Sequence, residues 1–331
     1  MPDHVTASTA APVVTMGTFN FEHGGRRDDG TFDLAPAIAH IAAQVPRIDL
    51  LALQEVKGYG RDGGRILHEF AGRLRASVGG TWGAHLAVSP ISGAHNAVFY
   101  RTETFRVVQA YADVAAADDR LALAGSLWLA VDGLEVPLVV HSVHWRHDSG
   151  EARIQEAKLL GNLITRAAIV AGDFNCVWPG DPSFELRPVW ENLPPHLRSH
   201  KTVADPATGR LESDLGAGLV CQRHGWVDAG ALAKDGTVTT NATSDRAPCR
   251  IDRIMASPPL AAGIIEGSYT VHVPPGDPVS DHRMVSVRID LSRFDQPFSA
   301  PWWADAGFGA WRWGGGDRSQ NPNTHTGWVR A

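Results

Sequence analysis

Two short runs constrain this chain more than any other feature. Ile48-Asp49-Leu50-Leu51-Ala52-Leu53 and Ala168-Ile169-Val170-Ala171 are almost continuously apolar, the pattern of strands covered on both faces rather than of strands with one face in water. Each run stops at polar residues, the first at Gln54-Glu55 and the second at Gly172-Asp173-Phe174-Asn175. A buried strand that ends in a carboxylate delivers it where the sheet opens into a loop, a position suited to binding and catalysis. Gly-Asp-x-Asn is also an ordinary turn signal, so the pair identifies nothing alone. If the extended conformation persists past Asp173, Asp173 and Asn175 face one side and combine an anionic acceptor with a carboxamide.

The other segments follow the same logic. Val13 to Phe19 predicts a strand ending at Asn20. Asp33 is an N-cap for a helix from Leu34, with Leu34, Ile38, Ile41 and Val45 at helical spacing and Pro46 as its stop. A glycine-rich loop with Lys57, Arg61 and Arg65 leads to a helix bearing Ile66, Leu67, Phe70 and Leu74. That loop lacks the Gly-Lys-Ser/Thr ending of a phosphate-binding P-loop. Asn96 to Tyr100, Ser126 to Val131 and Val136 to Val143 read as strands, the last two a hairpin turning at Asp132-Gly133. Glu151 to Ala167 reads as a helix, and 178–241, rich in Pro, Gly and polar residues, as long loops carrying local elements. Arg250 to Met255 is a strand with Asp252 among apolar neighbours; the alternation of Val285, Val287, Ile289 and Leu291 predicts a half-buried strand. Helices and strands mix without a steady βαβ repeat, which points to an α/β fold: a mixed or antiparallel sandwich with helices outside.

Composition excludes several classes. With 331 residues and 44% hydrophobic content, the chain can bury a sizeable core. Thirty Lys and Arg against 36 Asp and Glu leave a net charge of -6, so no overall basic field draws it to nucleic acid or anionic membranes. Cys176, Cys221 and Cys249 are widely spaced and lack Cys-x-x-Cys pairing, which indicates neither a disulfide framework nor a structural zinc site and fits a reducing compartment. There is no signal-like start and no run of roughly 20 apolar residues, so a soluble cytoplasmic protein without a membrane span is expected. No obligate protein partner is evident.

Collecting the polar residues at expected strand ends gives Asn20, Glu55, His144, Asp173, Asn175, Asp252, Asp281 and His282. A hard cation such as Mg²⁺ takes carboxylate oxygens, water and phosphate oxygens, and Glu55 suits that role. Phosphate-ester hydrolysis further needs an activated water and donors for developing charge. Asp173 can orient and deprotonate water, Asn20 and Asn175 can donate hydrogen bonds, and histidines can bind phosphoryl oxygens or pass a proton. An aspartate between Ile251 and Ile254 needs a partner or a cleft, and a histidine is the obvious partner. His141, His144 and His147 also admit a zinc reading, although no His-Glu-x-x-His helix supports it.

The order of these motifs resembles the endonuclease/exonuclease/phosphatase superfamily, the DNase I-like group of pancreatic-type deoxyribonucleases, abasic-site endonucleases, neutral sphingomyelinases, inositol-polyphosphate 5-phosphatases and deadenylases. The resemblance spans Val13 to Leu291 and rests on Thr18-Phe19-Asn20, Leu53-Gln54-Glu55-Val56, His144, Gly172-Asp173-Phe174-Asn175, Arg250-Ile251-Asp252-Arg253-Ile254 and Ser280-Asp281-His282. It implies a four-layer fold, a two-sheet mixed β-sandwich flanked by helices. It also implies a metal-dependent phosphoesterase using Mg²⁺ or Mn²⁺, with Glu55 as metal ligand and Asn20 and Asp281 nearby. Asp173 and Asn175 would position nucleophile and phosphate, Asp252 would pair with His282, and His144 would contact the scissile phosphate or assist the leaving group. His141 is an alternative to His144, which is preferred for its distance from the following helix. Asn96 and Arg146 are assigned to substrate binding.

The partner expected is a phosphate-ester substrate, with nucleic acid or a nucleotide among the options. Nuclease, lipid or headgroup phosphodiesterase and small-molecule phosphatase stay open, as does a non-hydrolytic binding module on the same fold. The chain is divided into a lead-in (1–12), a catalytic domain (13–295) and a Trp-rich extension (296–331) with Trp302, Trp303, Trp311, Trp313 and Trp328. Those indoles either pack on the body or wall the site for a ring-bearing substrate.

Overall fold

The two apolar runs become interior strands of two different sheets. In the computed structural model, residues 11–88, 93–110, 126–181, 190–241, 248–274 and 279–295 are described, together with the backbone of 311–313 and 328–330. The first half of the chain runs β1 (Val13–Asn20), α1 (Ala35–Gln44), β2 (Leu50–Gln54), α2 (Arg65–Val78), β3 (Trp82–Ala87), β4 (Asn96–Arg101) and β5 (Phe105–Ala110). It continues with β6 (Ser126–Val131), β7 (Leu138–His144), α3 (Gly150–Leu159) and β8 (Ala168–Asp173). Next come α4 (Pro195–Arg198), β9 (Thr202–Ala204), β10 (Leu211–Ser213), α5 (Gly216–Arg223), β11 (Val227–Asp228), α6 (Ala229–Leu232), β12 (Asp252–Ala256), β13 (Thr270–His272) and β14 (Met284–Asp290).

One sheet has the order β13-β14-β1-β2-β4-β3 and the other β11-β12-β8-β7-β6-β5. Each is mixed: β1 and β2 are parallel, as are β7 and β8, while the remaining neighbours are antiparallel. Alternation along β2 explains its unbroken apolar run. Leu50 and Ala52 enter the core between the sheets with Val14, Val140, Ile169 and Ile254. Leu51 and Leu53 point outward beneath Ile38 and Ile41 of α1 and Phe70 and Leu74 of α2. On the other flank, Val139, Val143 and Val170 meet Ala157 of α3 and Val220 and Cys221 of α5. The result is the expected sandwich of two six-stranded mixed sheets between helical layers.

Several local expectations change. The helix expected over 151–167 stops at Leu159 and tightens into a 3₁₀ turn at Leu160–Leu163, where Gly161-Asn162 are poor helix formers. β14 is buried on both faces over Met284 to Val287, where Ser286 lies under His272 with Nε2 and Oγ 2.8 Å apart, and half-buried only beyond, where Arg288 is exposed. β3 and β5 lie outside the strands that the sequence pattern marks, whereas the local elements expected within the loops of 178–241 are β9 to β11 and α4 to α6. All three cysteines are free thiols. Among the described residues, no helix is long and apolar enough to cross a membrane.

The chain forms two compact units, Met1–Phe294 and Asp295–Ala331. In the second, Trp311–Trp313 pairs antiparallel with Trp328–Arg330. Trp302 and Trp303, and residues 1–10 of the lead-in, lie outside the described residues.

Candidate active site

Strand direction brings the polar strand ends together. The parallel pairing of β1 and β2 sets Asn20 opposite Gln54, with Glu55 one residue on. The same arrangement in the other sheet sets His144 opposite Asp173. β12 runs antiparallel to β8, so its first residue, Asp252, pairs with Asp173. β14 runs antiparallel to β1, and the segment entering it is tied to the end of β1 by Ser280 Oγ donating to the Asn20 carbonyl at 2.7 Å. Both sheets therefore deliver functional groups to one end of the sandwich.

Glycine at 172 is required by this geometry. Its φ is +149°, and a Cβ there would clash with the Val143 carbonyl of the neighbouring parallel strand. Gly172→Ala should lower stability by more than about 1 kcal/mol, read as a lower urea midpoint at unchanged slope; an unchanged midpoint would contradict the close approach. Three non-glycine residues in or beside the cluster hold positive φ: His23 at 59°, Glu55 at 58° and Asn175 at 49°. Such backbone costs free energy and persists where surrounding contacts fix it.

Asp173 is the hub. Its Oδ2 accepts from Asn20 Nδ2 at 3.1 Å and lies 3.7 Å from His144 Nε2 and 3.6 Å from His282 Nε2. Asn20 Nδ2 also reaches Glu55 Oε1 at 3.4 Å, and His144 Nε2 is 3.9 Å from that oxygen. His282 Nδ1 binds both oxygens of fully buried Asp252, at 2.8 and 3.1 Å, while its Nε2 is 3.8 Å from Asp281 Oδ1. Asn175 departs from the expected arrangement. The extended backbone ends at Asp173, whose Oδ1 caps the Asn175 N–H at 2.8 Å, and Asn175 Nδ2 turns to the Trp145 carbonyl at 3.0 Å. The turn role and the placement of the Asp173 carboxylate coexist in one motif.

Burial alone would push the His282 imidazole down, but the Asp252 carboxylate, with Asp173 beyond it, pushes it up to about 9. A histidine raised above its unfolded value of about 6.5 stabilises fully below that pH, and the stability is lost as pH rises towards 9. Wild type should therefore lose urea stability between pH 6.5 and 9 relative to His282→Gln; parallel curves for the two proteins would contradict the ion pair.

The three histidines of the zinc reading separate. His141 is buried on Ser126 Oγ at 2.9 Å, and burial pushes it down to about 4. His147 is exposed, with its ring 6.4 Å from that of His200. Only His144 joins the carboxylates. Arg146 is exposed and engaged by Asp148 through two hydrogen bonds of 2.7 and 2.8 Å. Asn96 spans the two sheets, its Nδ2 donating to the Ser142 carbonyl at 3.2 Å.

Some supporting residues carry no individual signature in the sequence. Thr18 Oγ1 donates to Gln54 Oε1 at 3.3 Å, and Gln54 Nε2 donates to Ser142 Oγ at 3.1 Å, a polar bridge between the sheets. Arg250 and Arg253 flank Asp252 and are fully buried, both bound to Asp181 and Asp228. Their position in an otherwise apolar strand is the sequence signal for buried ion pairs.

The donor set fits a divalent cation. Asn20 Oδ1 is a buried oxygen with no hydrogen-bond partner, and it shares its amide with the donor to Glu55 and Asp173. Asp173, Asp252 and His282 each also offer a ligand atom within 4.8 Å of the others.

The Endonuclease/Exonuclease/phosphatase family profile matches residues 17–282, and the chain belongs to that family. Similar solved folds include an AP endonuclease from Archaeoglobus fulgidus, with TM-score 0.56 and 16% identity, covering 84% of this chain and 99% of that one. The 3' phosphatase NExo from Neisseria, bound to a product DNA hairpin, gives 0.54 and 14%, covering 84% and 99%. ANGEL2, a 2',3'-cyclic phosphatase, gives 0.52 and 14%, covering 85% and 95%. No curated protein matches the chain.

Proposed function

We propose that this chain hydrolyses a phosphodiester or phosphomonoester with Mg²⁺ or Mn²⁺, water attacking phosphorus. The observation that carries the reading is the convergence of Asn20, Glu55, His144, Asp252 and His282, from both sheets, on the Asp173 carboxylate and its neighbours, with Asn20 also holding a buried, unpartnered Oδ1. Glu55 and Asn20 Oδ1 would hold the ion, with Asp281 beside them; oxygen donors suit Mg²⁺ better than the His282-Asp252 pair, whose Nδ1 and carboxylate oxygens are already committed to each other. When bound, the ion supplies positive charge to the phosphoryl oxygens.

Asp173 Oδ2 orients the attacking water and takes its proton. Asn175, tied to Asp173 Oδ1 and to Trp145, keeps that carboxylate from rotating. His282, held in its charged form by Asp252, donates from Nε2 to a non-bridging oxygen as charge develops. His144 Nε2 contacts the phosphate or assists the leaving oxygen. Asn96 and Arg146 contribute to substrate binding, Arg146 only on leaving Asp148. The similar folds, NExo with its DNA hairpin product and ANGEL2 as a 2',3'-cyclic phosphatase, favour a nucleic-acid or nucleotide ester.

Excess chelator should reduce hydrolysis to below about a hundredth of its rate, with recovery on adding Mg²⁺ or Mn²⁺. Full activity in chelator would sink the metal-dependent reading.

A further inference from the structure

Glu55 presents its two oxygens to different surroundings. Oε1 faces Asn20 and His144, whereas Oε2 faces His23 Nδ1 at 3.6 Å and Lys57 Nζ at 4.0 Å. Lys57 Nζ also reaches His23 Nδ1. The Lys57 ammonium has only donors and the His23 ring carries an N–H in either tautomer, so the pair offers hydrogen-bond donors to an anion. Both side chains are accessible, at 54% and 35%.

The pair is fixed by its loops. His23, Gly24 and Gly25 all hold positive φ, and a Cβ on Gly24 would press on the backbone of Val56 and Lys57, 2.9 and 3.1 Å away. Buried Tyr59 donates from its hydroxyl to the Gly24 carbonyl at 3.2 Å. These contacts lock the loop after β1 onto the loop after β2, so the strained His23 backbone aims its ring at Lys57.

We infer that His23 and Lys57 form a subsite for a second phosphate of the substrate, on the Glu55 side of the reacting centre. This rests on the phosphoesterase reading and narrows it: a productive substrate carries another phosphate beyond the one that is cleaved. Spaced phosphates along a nucleic-acid strand and adjacent phosphates of a nucleoside diphosphate share this chemistry.

The test is calorimetric binding to the full chain carrying Asp173→Asn, in Mg²⁺, of thymidine 5'-monophosphate, thymidine 3',5'-bisphosphate and thymidine 5'-diphosphate. At least one of the two-phosphate ligands should bind about tenfold tighter than the monophosphate. That preference should vanish with Lys57→Met, fall with His23→Ala and survive in Lys57→Arg. Preference for the bisphosphate indicates a strand, and preference for the diphosphate a nucleoside polyphosphate. Equal affinity for all three, no binding of any, or a preference that Lys57→Met leaves intact overturns the subsite. A wild-type protein that hydrolyses no phosphate ester while the preference holds instead overturns the hydrolase reading and leaves the subsite standing.

Discussion

Asp228→Ala should lower unfolding stability by about 3–5 kcal/mol. Asp228 accepts from Arg250 Nη1 and Nη2 at 2.8 and 2.6 Å and from Arg253 Nη1, while Asp181 Oδ2 takes Arg253 Nη2 at 2.6 Å. All four side chains are buried, so two cations and two anions balance each other away from water. Burial raises the Asp228 carboxyl, but Arg250 and Arg253 override it and hold it well below the usual carboxylate range. Removing Asp228 leaves two buried guanidiniums facing one carboxylate. Urea unfolding followed by tryptophan fluorescence reads the loss, and a change under about 1 kcal/mol would show that water or rearrangement compensates. Because these arginines flank Asp252, the same network fixes the strand that presents it to His282.

Asp173→Asn should slow hydrolysis about a thousandfold while leaving the urea midpoint near wild type. Asparagine keeps the shape and an oxygen for the Asn20 amide, but it takes no proton from water. The contrast between the two substitutions separates scaffold from chemistry: one removes stability, the other turnover. A fully active Asp173→Asn protein would remove Asp173 from the base role.

The sequence made some of this legible because the information is local. Continuous apolar runs ending in polar residues mark β2 and β8, and parallel pairing then collects Asn20, Glu55, His144 and Asp173 without further design. The lone aspartate in an apolar strand calls for a histidine partner, and the family resemblance names His282, which binds Asp252. What failed to show depends on partners distant in sequence. Asp181 and Asp228, which neutralise Arg250 and Arg253, lie in or beside the stretch read as loops, so the buried network had no visible second half. The backbone leaves the extended form after Asp173, whose Oδ1 caps the Asn175 N–H, a choice that alternation cannot reveal. The alternation along β14 matches the exposure of Arg288 but not the burial of Ser286, which His272 of the adjacent strand covers. β5, Phe105-Arg106-Val107-Val108-Gln109-Ala110, neither alternates nor runs continuously apolar, so it carries no strand period.

The most direct test is one hydrolysis screen of the full chain and its Asp173→Asn variant, side by side, against DNA, RNA, lipid phosphodiesters and nucleotide and sugar phosphates. Each is run with Mg²⁺, with Mn²⁺ and in excess chelator. The site described above predicts hydrolysis of at least one class that requires the metal and Asp173 together. Hydrolysis that persists in chelator or in Asp173→Asn, or none across the panel, would contradict it.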